Sequence, residues 1–328
     1  MDAGEPIELE ITDVAHGGVF VGRHEGRVVF VPDAIPEERV LVRAGTGASS
    51  EGKRFWRAEL LEVLDPSPHR RPHVWRQADV DVPPQLRPGG ADFGHIELAH
   101  QRRLKLQVLT DALRRIGGMA DAAAAITAAS PVFSDTGDVL AEETADGTRW
   151  RTRMSLHVDA DGRVGPYAAR SHRVIAVDDL PLATPDVEQA ALAITRGEPG
   201  RIDLVQPADG RVRVLHRPER RRAGRAARDT VIERVNGREF RVDAGGFWQV
   251  HRLAAHSLTD LVTGLLQGLR PDGPIPRTGG AFIDPDAWHL DLYGGVGLFA
   301  ASLAGLGGPG IRITTVESDP RATAHAGE

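Results

Sequence analysis

The sequence contains no cysteine among its 328 residues. A chain without thiols can form no disulfide, no thiolate nucleophile, and no zinc or iron–sulfur site that depends on cysteine ligands. Two histidine pairs, His69 with His73 and His95 with His100, have spacings that would suit a metal, but neither pair has an evident third ligand. We therefore predict solvated histidines, no metal site and no iron–sulfur cluster.

Lysine, aromatic residues and long apolar runs are also scarce. Lys53 and Lys105 are the only lysines, so arginine carries the positive charge, and aromatic residues make up 5% of the chain. The net charge of −6 argues against a uniformly basic surface for nucleic acid but not against a local arginine patch that contacts phosphates. No apolar run approaches about 18 residues, and the acidic N-terminus lacks a signal-peptide pattern. These features predict a soluble, cytoplasmic protein, expected as a monomer, that enters no membrane.

Residues 1–65 contain short β-rich runs separated by glycine turns and loops. Five such runs at this spacing predict a small barrel of the OB type. The runs are Ile7–Val14, Gly18–Arg23, Arg27–Val31, Arg39–Arg43 and Arg57–Leu64. A stiff linker, Asp65–Pro68, closes this segment.

The middle of the chain divides into two predicted parts. Residues 66–130 form a linker with an amphipathic helix, Leu98–Ile116, and residues 131–243 form a central β domain. Three arginines, Arg149, Arg151 and Arg153, alternate along the predicted strand Arg149–Val158, so they should share one face that could meet RNA phosphates. The segment Arg217–Arg228 holds six arginines and one glutamate, and its composition suits either a solvated loop or an RNA contact.

Residues 244–328 carry the pattern of half a Rossmann unit. An apolar strand, Trp288–Tyr293, leads into the turn Gly294–Gly297 and a helix, and a second strand, Ile311–Val316, ends in Glu317. Glycines let a ligand approach the backbone, and an acid about 20 residues further on can bind ribose hydroxyls. The pattern predicts a nucleoside-type ligand, and the missing third glycine favours S-adenosylmethionine over NAD.

The segment Gly245–His251 places a glycine turn, two aromatic residues and Gln249 just ahead of a predicted helix, Leu253–Leu269. Taken alone, this segment fits a helix start with a solvated Gln249 as well as it fits a ligand site.

In this order, the parts resemble the bacterial RNA (uracil-C5)-methyltransferases. Residues 1–65 resemble the TRAM domain of that family, through Gly17–Gly18, Val28–Pro32, Ile35–Val40, Arg57–Ala58 and Pro66–Arg70. The other matching segments are Arg149–Ala183 for the central β domain, Phe247–His251 for the F-x-Q-x-N motif with His251 in place of Asn, and Leu290–Gly297 with Val316–Glu317 for the cofactor motifs.

The resemblance implies a multidomain α+β fold with an N-terminal OB-type TRAM barrel, a central β-rich domain and an incomplete Rossmann-like methyltransferase domain. It implies that S-adenosylmethionine is bound by Gln249, Tyr293, Gly295, Gly297 and Glu317, with Glu317 on the ribose. In the family, a cysteine thiolate adds to C6 of a flipped uracil, C5 takes the methyl group, and a base removes the C5 proton. The implied product is 5-methyluridine in rRNA or tRNA.

Two departures from the family change these expectations. Many members hold a [4Fe–4S] cluster through cysteines, whereas this chain has none between His73 and His95 or near Leu180. The catalytic cysteine and base of the family would follow residue 328. We therefore expect no cluster, and an N-terminal part of the enzyme that is inactive on its own.

Two other functions fit the same residues. The chain could be a non-catalytic RNA-binding protein that relies on the barrel and the arginines, or a class I methyltransferase that acts on another RNA atom. A downstream reading frame with a cysteine and an Asp-Pro-Pro strand end would favour the uracil enzyme.

Overall fold

A computed structural model describes residues 5–45, 55–126, 144, 146–219, 229–267, 269–270, 273–274, 283–284 and 286–327. The chain forms two compact units. The first draws on Met1–Pro131, Thr144–Thr148 and Arg163–Pro181, and the second on Val132–Glu143, Arg149–Gly162 and Leu182–Glu328.

The described residues form strands and helices throughout both units. The strands are β1 (Pro6–Val14), β2 (Phe20–His24), β3 (Arg27–Val31), β4 (Arg39–Ala44), β5 (Phe55–Asp65), β6 (Arg153–Val158), β7 (Val164–Gly165), β8 (Gly200–Val205), β9 (Arg213–Pro218), β10 (Thr230–Val235), β11 (Arg238–Asp243), β12 (Leu269–Arg270), β13 (Gly273–Pro274), β14 (Trp288–Leu292) and β15 (Arg312–Val316). The helices are α1 (Leu98–Arg115), α2 (Ala120–Ala125), α3 (Pro185–Leu192), α4 (Ala254–Leu266), α5 (Leu298–Gly307) and α6 (Pro320–Ala326), with short 3₁₀ turns at Arg76–Ala78 and Pro84–Leu86.

The first unit contains a closed barrel in the order β1-β2-β3-β5-β4, which confirms the predicted OB-type architecture. Its strands pair antiparallel except for β3 with β5, which run parallel. Alternate side chains point inward, because successive residues of a strand face opposite sides of the sheet. The resulting core includes Phe20, Val29, Val42 and Leu60.

Buried arginines and histidines hold the irregular segment after the barrel within the first unit. Arg70 pairs with the fully buried Glu38 at 2.6 Å, and Arg87 pairs with Asp33 at 3.2 Å. His95 is buried, and its Nε2 lies 3.0 Å from the Ala34 carbonyl oxygen. These contacts tie the segment to the barrel without any thiolate.

The prediction of solvated histidines is wrong for His73 and His95. Their rings stack with centroids 6.1 Å apart, and burial lowers the pKa of both, that of His95 to about 3. A neutral imidazole needs no counter-charge, so it can be accommodated in an apolar core. Within the described ranges, no group of His, Asp and Glu side chains is arranged to hold a metal ion.

In the second unit, β6, β8 and β9 form an antiparallel sheet, and β10 and β11 form a hairpin through Asn236 and Gly237. Asn236 and Gly237 have φ of 50° and 78°, the left-handed conformation that a tight hairpin turn requires. The predicted strand Arg149–Val158 begins only at Arg153: Arg149 has a φ of 63°, and Arg151 forms isolated bridges with Ala183 and His251 instead.

The final part of the second unit is a two-stranded parallel sheet, β14 with β15, connected by α5. The predicted strands and helix of the Rossmann pattern are confirmed. One face of β14 is open, with Trp288 70% exposed and Leu290 60% exposed. Helix α5 packs on the rest of the unit through a core that joins Leu298 to Trp248, Ala255 and the β10–β11 hairpin.

The described parts of residues 149–162 and 182–327 belong to one compact unit. The predicted boundary between a central domain, 131–243, and a methyltransferase part, 244–328, does not coincide with a boundary between compact units. No helix in the part of the chain that the structure describes is both long and apolar enough to cross a membrane.

Candidate functional site

The turn between β14 and α5 is built from unusual backbone conformations. Tyr293, Gly295 and Gly297 have φ of 59°, 57° and 85°. Gly297 begins α5 at its N-cap position, and the Gly294 amide donates to the Val316 carbonyl at 3.2 Å. The turn therefore lies beside the end of β15, where Glu317 follows. A left-handed backbone is rare for a bulky residue such as Tyr293 and often marks a functional position.

The first two glycines of the turn, Gly294 and Gly295, have different surroundings. A Cβ on Gly294 would lie 2.3 Å from Thr315 Cγ2 and 2.7 Å from an Asp291 carboxylate oxygen, so only glycine fits there. A Cβ on Gly295 would meet no atom within 4 Å. The Gly295 side of the turn is thus an open backbone surface that a ligand can approach closely.

Two carboxylates lie beneath and beside this turn. Asp291, at the end of β14, is buried and accepts a hydrogen bond from the Ala300 amide at 3.2 Å, and burial raises its pKa. Glu317 accepts from the Asp319 amide at 2.8 Å and from the Gly295 amide at 2.9 Å, and these hydrogen bonds lower its pKa. Glu317 is therefore ionised at neutral pH and held next to the open glycine, with lone pairs left for hydroxyl donors.

The Gly245–His251 segment follows β11 and leads to α4. Trp248 is buried against Phe240, with ring centroids 5.8 Å apart, whereas Phe247 is 79% exposed. Gln249 is half-buried, and its amide has no hydrogen-bond partner among the described residues. The segment thus exposes the Phe247 ring and leaves the Gln249 side-chain amide available, while Trp248 anchors the backbone between them.

Two connections join this segment to the glycine turn within the second unit. Trp248 and Leu298 belong to one core cluster, against which Val296 of the turn also packs. At the end of β11, Asp243 accepts from Arg321 at 2.5 Å and from His325 at 3.2 Å, both on α6, the helix that follows Glu317. The structure therefore links the Gly245–His251 segment and the glycine turn through a shared core and a charged anchor.

The prediction that Arg149, Arg151 and Arg153 share one strand face is wrong. Arg149 lies outside β6 and pairs with Glu188. Arg153 starts β6, is 8% exposed, and pairs with Glu233 at 3.1 Å. Burial and the backbone kink at Arg149 thus remove two of the three guanidinium groups from a common surface.

Arg153 has a different position from the one predicted for it. Its guanidinium donates to the carbonyls of Ala244 at 3.3 Å and Gly246 at 2.9 Å, which flank the first glycine of the Gly245–His251 segment. Desolvation lowers the pKa of Arg153 and raises that of Glu233, although each favours the charged form of the other. Arg153 is therefore positioned to fix the backbone that leads to Gln249.

The arginine segment Arg217–Arg228 is only partly described. Arg217 donates to Asp203 at 2.6 Å, and Ser155 donates to the other oxygen of that carboxylate at 2.7 Å. Residues 220–228 lie outside the described residues.

Comparisons with known proteins show which family this chain is similar to. Residues 3–45 match the family model of the TRAM domain. An RNA methyltransferase of Streptomyces avermitilis is 36% identical over 98% of this chain and 75% of its own length. A 23S rRNA (uracil(1939)-C(5))-methyltransferase of Halomonas elongata is 34% identical over 54% of this chain and 32% of its own length.

A solved structure shares the fold. The tRNA (uracil-54, C5)-methyltransferase of Pyrococcus abyssi, in complex with S-adenosyl-L-homocysteine, superposes with a TM-score of 0.58. The alignment covers 97% of this chain and 75% of that protein at 16% identity. At this identity the likeness concerns the fold alone.

Proposed function

Because the chain belongs to the bacterial RNA (uracil-C5)-methyltransferase family, we propose that it acts in the S-adenosylmethionine-dependent formation of 5-methyluridine in rRNA or tRNA. The Halomonas elongata relative named above supports this substrate class, since it is a uracil-C5 methyltransferase of 23S rRNA. The TRAM match adds a barrel of a type that binds RNA.

We assign the cofactor to Gln249, Tyr293, Gly295, Gly297 and Glu317. The observation that carries this assignment is the Glu317 carboxylate, ionised and held 2.9 Å from the Gly295 amide beside an open backbone surface. Ribose hydroxyls would donate to Glu317, the Tyr293 ring, 91% exposed, would offer an aromatic face, and the Gln249 amide would supply hydrogen bonds. S-adenosylmethionine would supply an electrophilic methyl group.

The same proposal limits what the chain does alone. Uracil methylation through a C6 adduct needs a nucleophile such as a thiolate, and the 328 residues include no cysteine. We propose that this chain binds the cofactor and RNA but does not by itself methylate uracil by that route. It should also hold no iron–sulfur cluster, which iron analysis of the purified protein would test.

Calorimetric titration of S-adenosylmethionine into the protein tests the cofactor assignment. Glu317→Ala should weaken binding by about 1.5–3 kcal/mol, the scale of hydrogen bonds to a charged group. Glu317→Gln keeps an acceptor for the Gly295 amide and should weaken binding less. Glu239→Ala, which removes an exposed acid from the β10–β11 hairpin, is the matched control and should bind as the wild type does.

Equal affinities for the wild type and Glu317→Ala would remove Glu317 from the site. RNA binding without any cofactor binding would favour the non-catalytic RNA-binding alternative. Methyl transfer to an RNA atom other than C5, located by nucleoside mass spectrometry, would favour the other class I alternative.

A further inference from the structure

Three arginines lie within five positions of one another, and their charges are compensated differently. Arg149 has Glu188 and Arg153 has Glu233 as ion-pair partners. Arg151, between them, forms no ion pair with any described residue. The charges of Arg149 and Arg153 are therefore compensated by carboxylates, whereas the charge of Arg151 is not compensated within the described residues.

The backbone of Arg151 is fixed on both sides. Its amide donates to the Leu182 carbonyl at 2.8 Å, and its carbonyl accepts from the Thr184 amide at 3.0 Å. On the other side, Arg151 forms a bridge with His251, next to a 2.8 Å hydrogen bond from the Thr152 amide to the Val250 carbonyl. The side chain is therefore presented from a rigid position beside the segment that carries Gln249.

The guanidinium of Arg151 lies on an aromatic surface. Its central carbon is 5.0 Å from the centroid of the Trp150 ring, and Trp150 stacks on His251 at 5.3 Å with an interplanar angle of 16°. The Nε atom is buried without a hydrogen-bond partner, and desolvation alone lowers the pKa of the group. Arg151 as a whole is only half-buried, so its other nitrogens can reach a ligand.

A partly desolvated cation without a partner is costly, and an anion that fits its fork offsets that cost. Resting on the proposed function, we propose that Arg151 is an anion site that binds a phosphate of the RNA strand next to the cofactor motif. Arg149 and Arg153 are structural, and their charges are not available to RNA.

The first test uses inorganic phosphate and thermal unfolding, which need neither RNA nor cofactor. At matched ionic strength, replacing chloride with phosphate should raise the Tm of the wild type and of Arg149→Met, but not that of Arg151→Met. Without phosphate, Arg151→Met should have an unchanged or higher Tm, because it removes an uncompensated cation. Arg153→Met should lower the Tm, because it leaves Glu233 buried without its partner.

The second test measures binding of a short oligouridine strand as a function of salt. Arg151→Met should bind more weakly and should lower the slope of log affinity against log salt by about 0.7, the value for one phosphate contact on a single strand. Arg149→Met should keep the wild-type slope. Binding of S-adenosylmethionine should be the same in all three proteins.

A phosphate response that survives in Arg151→Met, or is absent from the wild type, would overturn the anion site. A lower Tm for Arg151→Met together with an unchanged salt slope would make Arg151 a packing residue. If the phosphate response depends on Arg151 but the protein binds no RNA, the anion site would stand. RNA would then be excluded both as the source of the phosphate and as the proposed substrate.

Discussion

The barrel of the first unit and the β14–β15 sheet of the second unit bury their apolar residues to very different extents. In the barrel, Phe20, Val29 and Val42 are fully buried, because the sheet closes on itself and leaves no edge. In the other sheet, Trp288 and Leu290 are mostly exposed. The barrel completes a core within a short stretch of chain, whereas the β14–β15 sheet carries the glycine turn and leaves one face open.

The stability of the barrel and the geometry of the glycine turn therefore depend on different interactions. The barrel gains hydrophobic stabilisation from its own strands, at roughly 25 cal/mol per Å² of apolar area buried. The glycine turn between β14 and α5 instead depends on local backbone hydrogen bonds, on the Trp248–Leu298 core and on the Asp243 anchor. Substitutions of the same type should therefore have unequal effects in the two regions.

Matched leucine substitutions should give the largest contrast. Leu60 in β5 is 1% exposed and Leu290 in β14 is 60% exposed. Leu60→Ala should reduce the free energy of opening of the barrel by about 2–5 kcal/mol, because it leaves a cavity. Leu290→Ala should change the free energy of opening of the β14–β15 sheet by less than about 0.5 kcal/mol. Hydrogen exchange resolved by peptide measures both, and a comparable loss for Leu290→Ala would show that this face is covered in solution.

Acid should weaken the barrel unit through His95. Its pKa is about 3 in the folded protein against 6.5 for the free side chain, so below pH 6.5 the unfolded chain binds a proton that the folded chain does not. Stability should fall by about 1.4 kcal/mol per pH unit from this group as the pH drops from 6.5 towards 3. The lowered pKa of His73 acts in the same direction.

Urea unfolding at several pH values measures this slope. His95→Gln keeps a donor for the Ala34 carbonyl and should flatten the slope, whereas replacing the exposed His172 with Gln should leave it unchanged. A slope that persists in His95→Gln would assign the acid sensitivity to other groups.

The elements with a regular pattern could be predicted from the sequence. The barrel runs, the helix at Leu98–Arg115 and the Rossmann strands lie within a few residues of their predicted bounds, because alternation and helical periodicity report which face is buried. The β10–β11 hairpin lies within the predicted central β domain, and Asn236–Gly237 is a strong signal for its turn.

Long-range charge pairs could not be predicted in this way. An arginine on the inner face of a strand has the same sequence pattern as one on the outer face, and Glu233, the partner of Arg153, is far away in the chain. Arg149 has a positive φ, which an alternating pattern of arginines does not reveal. In the site, the glycine turn and Glu317 follow from spacing, whereas the Asp243 anchor depends on a helix docking that no local pattern reports.

Matched glycine substitutions should give the smallest but most specific contrast. Gly26, in the β2–β3 turn of the barrel, and Gly295 have φ of 78° and 57°, and a Cβ on either would meet no atom within 4 Å. Alanine at each position should therefore cost only backbone strain, about 1–2 kcal/mol. In Gly26→Ala, this cost should reduce the protection of β2 and β3 in hydrogen exchange and leave cofactor affinity unchanged. In Gly295→Ala, the strain and the added methyl group fall on the open surface beside Glu317, so calorimetry should show weaker S-adenosylmethionine binding with an unchanged barrel. A loss of cofactor affinity in Gly26→Ala, or full affinity in Gly295→Ala, would contradict the conclusion that barrel stability and turn geometry depend on different interactions.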